Sequence, residues 1–354
     1  MTDTLPPLDR RRALRWLISL PVLGRAALAG AQTAPAAVPA TPFPEGVSLL
    51  VAGPEGGNLD FWSRLLVPAL TGLLPADMRR TLAGGADGLT GTNQFEARAL
   101  PDGASALLVP GTAALAWLAG DDRAKFDPTR WAPLMAGICP GLLVGRVDRA
   151  RLVRGQKLRI AASGQAGPEI AAVLGLELLG LEPVPVTGMT EPGAMRTGFS
   201  QHAVDVVLLR GGQIGAQLPV LIDAGARPIC TLGMADTGGR LGRDPAWAEL
   251  PHLGELVGGL PAGKLTDAWC AVAAAARLAF GLVLPQLTPA AMIALWRRAI
   301  EQAVALPELQ AAAIAQGVRL QASPEAAAAA VAADAPALQA LRQWLATRLS
   351  GRAG

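Results

Sequence analysis

Tyrosine is absent from this chain of 354 residues, which also has only two histidines, three cysteines and three lysines. The histidines, His202 and His252, stand far apart, and no H-E-x-x-H or C-x-x-C spacing occurs, so the sequence predicts no metal site. No G-x-x-x-x-G-K-[ST] loop occurs, which disfavours binding of nucleoside triphosphates. Together these absences favour a binding protein without a cofactor over an enzyme.

Cysteines and long apolar runs are also scarce. An odd number of cysteines at wide spacing, Cys139, Cys230 and Cys270, does not form a disulfide framework. An oxidising compartment would permit one pair to form, but buried free thiols are the simpler interpretation. No run of 18 uncharged apolar residues occurs, so no membrane-spanning helix is predicted.

The N-terminal segment has the pattern of an export signal. An arginine-rich stretch over 9–15 precedes a short apolar core over 16–24 and a small-residue cleavage site at Ala31. We predict export through a signal over 1–31, followed by a Pro/Ala-rich leader over 32–46. Arg10-Arg11 resembles a twin-arginine signal, and the general secretory route is the alternative.

The positive charge of the chain is concentrated in that signal. The whole chain has 31 basic and 28 acidic residues, of which 1–31 holds five arginines and two aspartates. Subtracting these leaves 26 of each sign, so the predicted mature chain is neutral. A neutral chain offers no basic surface for nucleic acid, and none is expected as a partner.

After the leader, strands and helices alternate in two series, which predicts an α/β protein with two lobes and mostly parallel sheets. We assign 47–145 with 267–349 to lobe 1 and 146–266 to lobe 2. The apolar run over 134–145 predicts one long buried strand, and 267–276 another strand. A single helix is predicted over 326–349.

Glycine-bearing loops connect predicted strands to predicted helices at 53–58, 110–112 and 163–168. In open α/β sheets, ligands bind at the carboxyl ends of strands. A helix N-terminus there offers unpaired N–H groups and the positive end of the helix dipole, which attract anions. The sequence therefore predicts an anion site between the lobes.

Short motifs along nearly all of the predicted mature chain resemble one family of transport receptors. The first loop is similar to that family's P-P-G-G-x-x-D element, and further similar elements follow in the same order. The motifs are Pro54–Arg64, Ala83–Gly91, Leu100–Gly103, Trp131–Leu134, Ser163–Gly167, Leu250–Leu253, Pro285–Pro289 and Ser323–Glu325. On these motifs the chain resembles the Bug-type substrate-binding receptors of tripartite tricarboxylate transporters.

The resemblance implies a two-lobed, periplasmic-binding-protein-like fold of the type II, flytrap kind. It also implies a periplasmic, monomeric receptor that captures a small organic acid and delivers it to membrane permease subunits. The predicted ligand-binding residues lie in the glycine loops, and Arg210 is added because of its own chemistry. They are Pro54, Gly56, Gly57, Asn58, Asp60, Gly111, Thr112, Ser163, Gly164, Gly167 and Arg210.

The chain departs from the family pattern at several places, one of which is a short stretch after Arg146 that lacks a helix usual in the family. Gly53 replaces an aromatic residue, Glu55 replaces the second proline, and Arg210-Gly211-Gly212 replaces a more acidic or amide-bearing loop. Arg210 could bind a second carboxylate in bidentate fashion, or it could be a solvated surface residue.

Two other functions remain open from the sequence. One is an exported α/β hydrolase-like enzyme that uses Ser163 or Asp60 as a catalytic group. The other is an orphan receptor that serves sensing instead of transport.

Overall fold

A computed structural model of the protein describes residues 42–164, 167–235 and 241–350. The predicted signal over 1–31 and most of the leader over 32–46 lie outside these residues. None of the described helices is long and apolar enough to cross a membrane.

The secondary structure alternates through most of the chain. The strands are β1 (Val47–Val51), β2 (Met78–Leu82), β3 (Ser105–Val109), β4 (Ala132–Ile138), β5 (Gly141–Gly145), β6 (Lys157–Ala162), β7 (Glu182–Thr187), β8 (Val206–Arg210), β9 (Arg227–Thr231), β10 (Met234–Ala235), β11 (Leu241–Gly242), β12 (Leu278–Leu284) and β13 (Arg319–Gln321). The helices are α1 (Asn58–Thr71), α2 (Leu89–Arg98), α3 (Gly111–Ala119), α4 (Ile170–Leu178), α5 (Pro192–Ser200), α6 (Gly212–Asp223), α7 (Lys264–Arg277), α8 (Ala290–Val304), α9 (Pro307–Ala315), α10 (Glu325–Ala329) and α11 (Ala335–Ser350). Short 3-10 turns occur at Pro128–Arg130, Arg149–Arg151, Pro245–Trp247 and Leu253–Glu255.

Two larger sheets form the centres of the two lobes. The first has the strand order β13-β4-β12-β3-β1-β2 and the second has β7-β6-β8-β5-β9. In the first, β1 is parallel to β2 and β3, whereas β12 is antiparallel to β3 and β4. In the second, β6 is parallel to β7 and β8, whereas β5 is antiparallel to β8 and β9. Both sheets are mixed, so the prediction of mostly parallel sheets was wrong.

The apolar run over 134–145 is divided between the two sheets, and the prediction of one strand there was wrong. It forms the end of β4 and all of β5, joined by Cys139 and Pro140. The N–H of Cys139 donates to the carbonyl of Arg277 at 2.9 Å, where the second connection between the sheets arrives. Both strands are buried on both faces, so hydrophobicity alone does not reveal the boundary.

Two predictions in the C-terminal region were also wrong. Residues 267–276 belong to helix α7, whose buried Ala268, Trp269, Val272 and Ala275 recur at helical spacing. The predicted helix over 326–349 is broken into α10 and α11, and the Asp334 carboxylate accepts a hydrogen bond from the N–H of Ala337 at the start of α11. An aspartate there favours a new helix start.

Helix α7 connects the cores of the two lobes. The Trp269 side chain is fully buried, and its indole N–H donates to the carbonyl of Ala171 in α4 at 2.7 Å. Apolar residues of α3, α4, α7 and α11 form one continuous cluster. The two lobes are therefore joined by helix packing as well as by strand connections.

Candidate functional site

The first glycine loop is closed by its own aspartate. Asp60 is 1% exposed, and its carboxylate accepts from Arg64 at 2.7 Å, from Arg80, and from the N–H of Gly56 at 2.9 Å. Gly56 has φ +71°, a conformation that glycine adopts at little cost. The hydrogen bonds from Arg64 and Gly56 hold the pKa of Asp60 well below its usual value. Asp60 is therefore ionised, and its hydrogen bonds hold the loop in its conformation.

These hydrogen bonds within the loop engage N–H groups that the sequence analysis assigned to ligand binding. The N–H of Gly56 donates to Asp60, and the N–H of Gly57 donates to the carbonyl of Pro54 at 3.2 Å. Pro54 and Glu55 are exposed, and the Glu55 carboxylate lies 4.0 Å from Arg64. In this structure the residues at the tip of the loop shape the start of α1.

A cleft of about 420 Å³ lies between the two sheets. Elements of the first sheet and of the second sheet both contribute to its wall. Its lining residues are Asn58, Ala86, Pro110, Gly111, Thr112, Cys139, Arg210, Gly211, Gly212, Gln213, Leu278, Ala279, Gln316 and Val318. The structure thus brings together four predicted site residues, Asn58, Gly111, Thr112 and Arg210.

Three helices begin at this cleft. They are α1 at Asn58, α3 at Gly111 and α6 at Gly212, and none of the three has a hydrogen bond from a capping side chain. The first N–H groups of a helix have no partner within the helix, and the dipole makes that end positive. Three such ends at one cavity create an environment suited to an anion.

Arg210 adds a full positive charge to the same cleft. Among the described residues that line it, Arg210 alone carries a formal charge. Its Nη2 lies 3.5 Å from the carbonyl of Leu278, a long contact, and its buried Nε has no hydrogen-bond partner within the described chain. A guanidinium presents five donors. Arg210 therefore has hydrogen-bond donors that the described chain leaves unused.

Close backbone packing explains the glycines at this cleft. A Cβ on Gly111 would lie 2.2 Å from the carbonyl oxygen of Ala275, so no side chain fits there. Gly211 has φ +48°, and a Cβ on Gly317 would lie 2.9 Å from the Gly211 carbonyl carbon. These contacts bring α3 against α7, and the start of α6 against the turn before β13.

The predicted second-lobe loop lies at another cavity. Gly164 lines a small space beside Trp344 and Arg348 of α11. The Ser163 hydroxyl donates to Glu169 Oε2 at 2.6 Å. A Cβ on Gly167 would lie 2.0 Å from Ser163 Oγ, which explains the glycine. In this structure Ser163, Gly164 and Gly167 do not line the cleft.

Sequence reasoning missed Gly212 and Gln213 as cleft residues. The signal was present, because β8 runs into Gly211-Gly212 and then into α6, the same strand–glycine–helix pattern as the other loops. His252 has a local role, because its Nδ1 accepts the N–H of Gly254 at the start of a 3-10 turn, and burial lowers its pKa. No cluster of three potential metal ligands occurs in the described ranges.

No protein-family model and no curated protein matches the chain in sequence. Solved structures do match. A TctC solute-binding protein from Polaromonas, solved without ligand, is 15% identical over 85% of this chain and 98% of its own, with a TM-score of 0.64. MatC from Rhodopseudomonas palustris, solved with bound malate, is 18% identical over 86% of this chain and 100% of its own, with a TM-score of 0.53.

A further solved structure, described as a periplasmic transporter, is 17% identical over 86% of this chain and 96% of its own, with a TM-score of 0.50. These neighbours are binding and transport proteins. At such identities the likeness establishes the fold, and the predicted two-lobed, periplasmic-binding-protein-like α/β fold is confirmed. The chain therefore has the fold of TctC-type solute-binding proteins.

Proposed function

We propose that this protein is an extracytoplasmic solute-binding receptor that captures a small carboxylate in the cleft. The observation that carries the proposal is the convergence of three uncapped helix starts and Arg210 on one cavity. A preorganised set of N–H donors binds an anion without reorganisation of the protein. The fold supports this function, and MatC, which shares it, was solved with bound malate.

The cleft determines the class of acid. A volume of about 420 Å³ lies within the range of small-molecule sites, roughly 300–1,000 Å³. One carboxylate would accept from the N–H groups at the starts of α1 and α3. Arg210 lies on the other side of the cleft and would bind a second carboxylate through a bidentate pair of hydrogen bonds. A dicarboxylate fits this arrangement better than a monocarboxylate.

The predicted site residues divide into three groups in this proposal. Asn58, Gly111, Thr112 and Arg210 contact the ligand. Pro54, Gly56, Gly57 and Asp60 set the position of the start of α1. The ligand contacts predicted for Ser163, Gly164 and Gly167 stay a prediction, which a ligand-bound structure would decide.

Partners and location follow from the proposed function. We propose export through the segment over 1–31, cleavage near Ala31 and action in the periplasm as a monomer. The permease subunits of a tripartite tricarboxylate-type transporter would receive the ligand. The bodies that would close on the ligand are the two lobes, but the first boundary, proposed at 145/146 from the sequence (47–145 with 267–349, and 146–266), moves to Cys139-Pro140, because β5 belongs to the second sheet.

The test is a thermal-shift screen of mono- and dicarboxylates on the purified protein, followed by calorimetric titration. A ligand at 100 times its Kd stabilises the folded state by about 2.7 kcal/mol. Arg210→Met should weaken binding of a dicarboxylate roughly 10- to 100-fold, because hydrogen bonds to a charged group contribute about 1.5–3 kcal/mol. Arg227→Met, which changes an exposed arginine on β9, is the matched control and should bind normally.

Two results would contradict the proposal. In the first, no carboxylate raises the Tm while another class of solute does. In the second, Arg210→Met binds the acid as tightly as the Arg227→Met control does.

One contact favours a second function, an exported hydrolase. Ser163 Oγ lies 2.6 Å from Oε2 of Glu169, which is 8% exposed, so a base stands within reach of a hydroxyl nucleophile. The same Glu169 oxygen also accepts the N–H of Ser163 at 3.2 Å, as in a structural loop contact. Turnover of activated esters that is lost in Ser163→Ala would support the hydrolase, and equal rates in both proteins would exclude Ser163 as nucleophile.

A further inference from the structure

A second large cavity lies behind the connection between the two sheets. It has a volume of about 560 Å³, and the proposed function does not use it. We call it the rear cavity, and define it by Ile138, Met234, Arg277, Arg319, Gln321 and Ser323.

The rear cavity and the cleft lie on opposite sides of the same strands. Cys139 lines the cleft, whereas Ile138 lines the rear cavity. Val318 lines the cleft, whereas Arg319 lines the rear cavity. Successive side chains of a strand point to opposite faces, and Arg319 pairs with Ile138 in the sheet. The rear cavity is therefore a separate site.

A buried arginine with unused donors lies in its wall. Arg277 is 5% exposed, and its Nη2 lies 3.5 Å from Asp244 Oδ2, well beyond the usual length of a charge-assisted hydrogen bond. Its buried Nε has no hydrogen-bond partner among the described residues. Leaving a buried charged donor unsatisfied is costly. A bound acceptor would remove that cost.

Two charged side chains of opposite sign, Arg319 and Asp244, lie near Arg277. Arg319 is a second guanidinium on the same wall, and its Nη2 contacts the sulfur of Met234, a weak acceptor. Burial lowers the pKa of Arg277, and the nearby charge of Arg319 lowers it further. Asp244 is the acidic residue that contacts Arg277, and its Oδ1 also accepts the N–H of Ala246.

The remaining acidic group of the wall is Glu325. It is exposed at the start of α10, and a hydrogen bond from Ser323 lowers its pKa. Its carboxylate is thus engaged at the rim. Arg319 and Glu325 are both exposed, whereas Arg277 and Asp244 are buried, so the feature that favours an anion is the unpartnered donor of Arg277 beside Arg319 and not an excess of positive charge.

We propose that the rear cavity is a second anion site, which binds a small oxyanion between the guanidinium groups of Arg277 and Arg319. The chemistry fits a carboxylate or a phosphate, since both offer oxygens to paired guanidinium groups. The site does not depend on the function proposed for the cleft, because the two cavities share neither arginine.

The experiment titrates inorganic phosphate, sulfate and succinate into the purified Arg210→Met protein by calorimetry, at ionic strength held constant with chloride. The Arg210→Met background weakens binding at the cleft. We expect saturable binding of at least one of the three anions, weakened at least tenfold by adding Arg319→Gln. Adding Arg79→Gln, which changes an exposed arginine on β2, should leave binding unchanged. Preference for phosphate and sulfate, or for succinate, identifies the class of oxyanion.

Arg277→Met is the second variant, and it should abolish binding. Arg319 is exposed, so Arg319→Gln leaves the core intact and tests the site even where Arg277→Met unfolds. Absence of saturable binding for all three anions would overturn the proposal. Binding that is unchanged by Arg319→Gln would overturn it as well.

Discussion

Gly111→Ala tests whether the start of α3 is held against α7 as closely as the structure shows. The added Cβ would lie 2.2 Å from the carbonyl oxygen of Ala275 and 2.5 Å from that of Leu278. Both obstacles are backbone atoms at the end of α7 and the start of β12. Neither can rotate aside, so the helix start itself must move.

The magnitude follows from two opposing effects. Replacing glycine by alanine in a helix gains roughly 0.5–1 kcal/mol of intrinsic preference. Overpacking a close contact costs roughly 1–3 kcal/mol, and here the obstruction places the cost at the upper end. We expect a net destabilisation of about 2 kcal/mol, which lowers the Tm by roughly 4–8 °C.

The measurement is urea unfolding together with thermal melting of Gly111→Ala and of Gly212→Ala, which is its matched control. Gly212 also begins a helix at the cleft, but its added Cβ would lie 3.5 Å from the nearest atom, an ordinary contact. Gly212→Ala should therefore be as stable as the original protein or slightly more stable. Equal stability of the two variants would refute the close approach of α3 to α7. Ligand affinity should fall in Gly111→Ala, because the N–H groups at the start of α3 shift.

Three further outcomes are expected. In urea titrations, Trp269→Phe should lower the free energy of unfolding by about 1–3 kcal/mol more than Trp62→Phe does. The reason is that the buried indole N–H of Trp269 is hydrogen-bonded, whereas that of Trp62 has no partner in the described chain. Equal losses in the two variants would contradict this. The hydrogen bond from Arg243 lowers the pKa of Glu255 from 4.5 to about 2, so its stabilisation is present above pH 4.5 and is lost as the pH falls toward 2. Arg243→Gln should flatten that part of the stability–pH curve, and an unchanged curve would assign the acid sensitivity elsewhere. Among the three free thiols Cys270 is the half-buried one, so a thiol reagent should label it first in the native protein, and faster labelling of a buried cysteine would contradict the packing.

Local signals in the sequence were sufficient for the first lobe as far as β3. A short apolar strand, a glycine loop and an amphipathic helix recur there. The signals predict strands over 47–52, 78–83 and 106–109 and helices over 60–74 and 89–100, and β1, β2, β3, α1 and α2 agree with them within three residues. The signals failed where burial is complete, as in 134–145 and 267–276. A segment surrounded by apolar neighbours on all sides needs no polar face, so its periodicity no longer distinguishes helix from strand or marks a boundary.

Only some residues of the candidate site were predicted from the sequence, because hydrogen bonds within the folded loops are not visible in it. Glycine loops before helices and the resemblance pointed to Asn58, Gly111 and Thr112, whereas Arg210 was a candidate because of its own charge and donors. The same reasoning treated Gly56 and Asp60 as ligand contacts, although the Gly56 N–H is used by the Asp60 carboxylate. That hydrogen bond depends on the geometry of the folded loop, which composition and spacing do not contain.

The sequence by itself determined an alternation of strands and helices in two lobes, with glycine loops before several helices and without a metal or nucleotide motif. The tertiary structure alone decided which helix starts face one another. It brought α6 and Arg210 to the starts of α1 and α3, and it separated the Ser163 loop from them. The physical reason is that a helix start attracts anions through local N–H groups, whereas the meeting of three such starts depends on how the two sheets pack across α7.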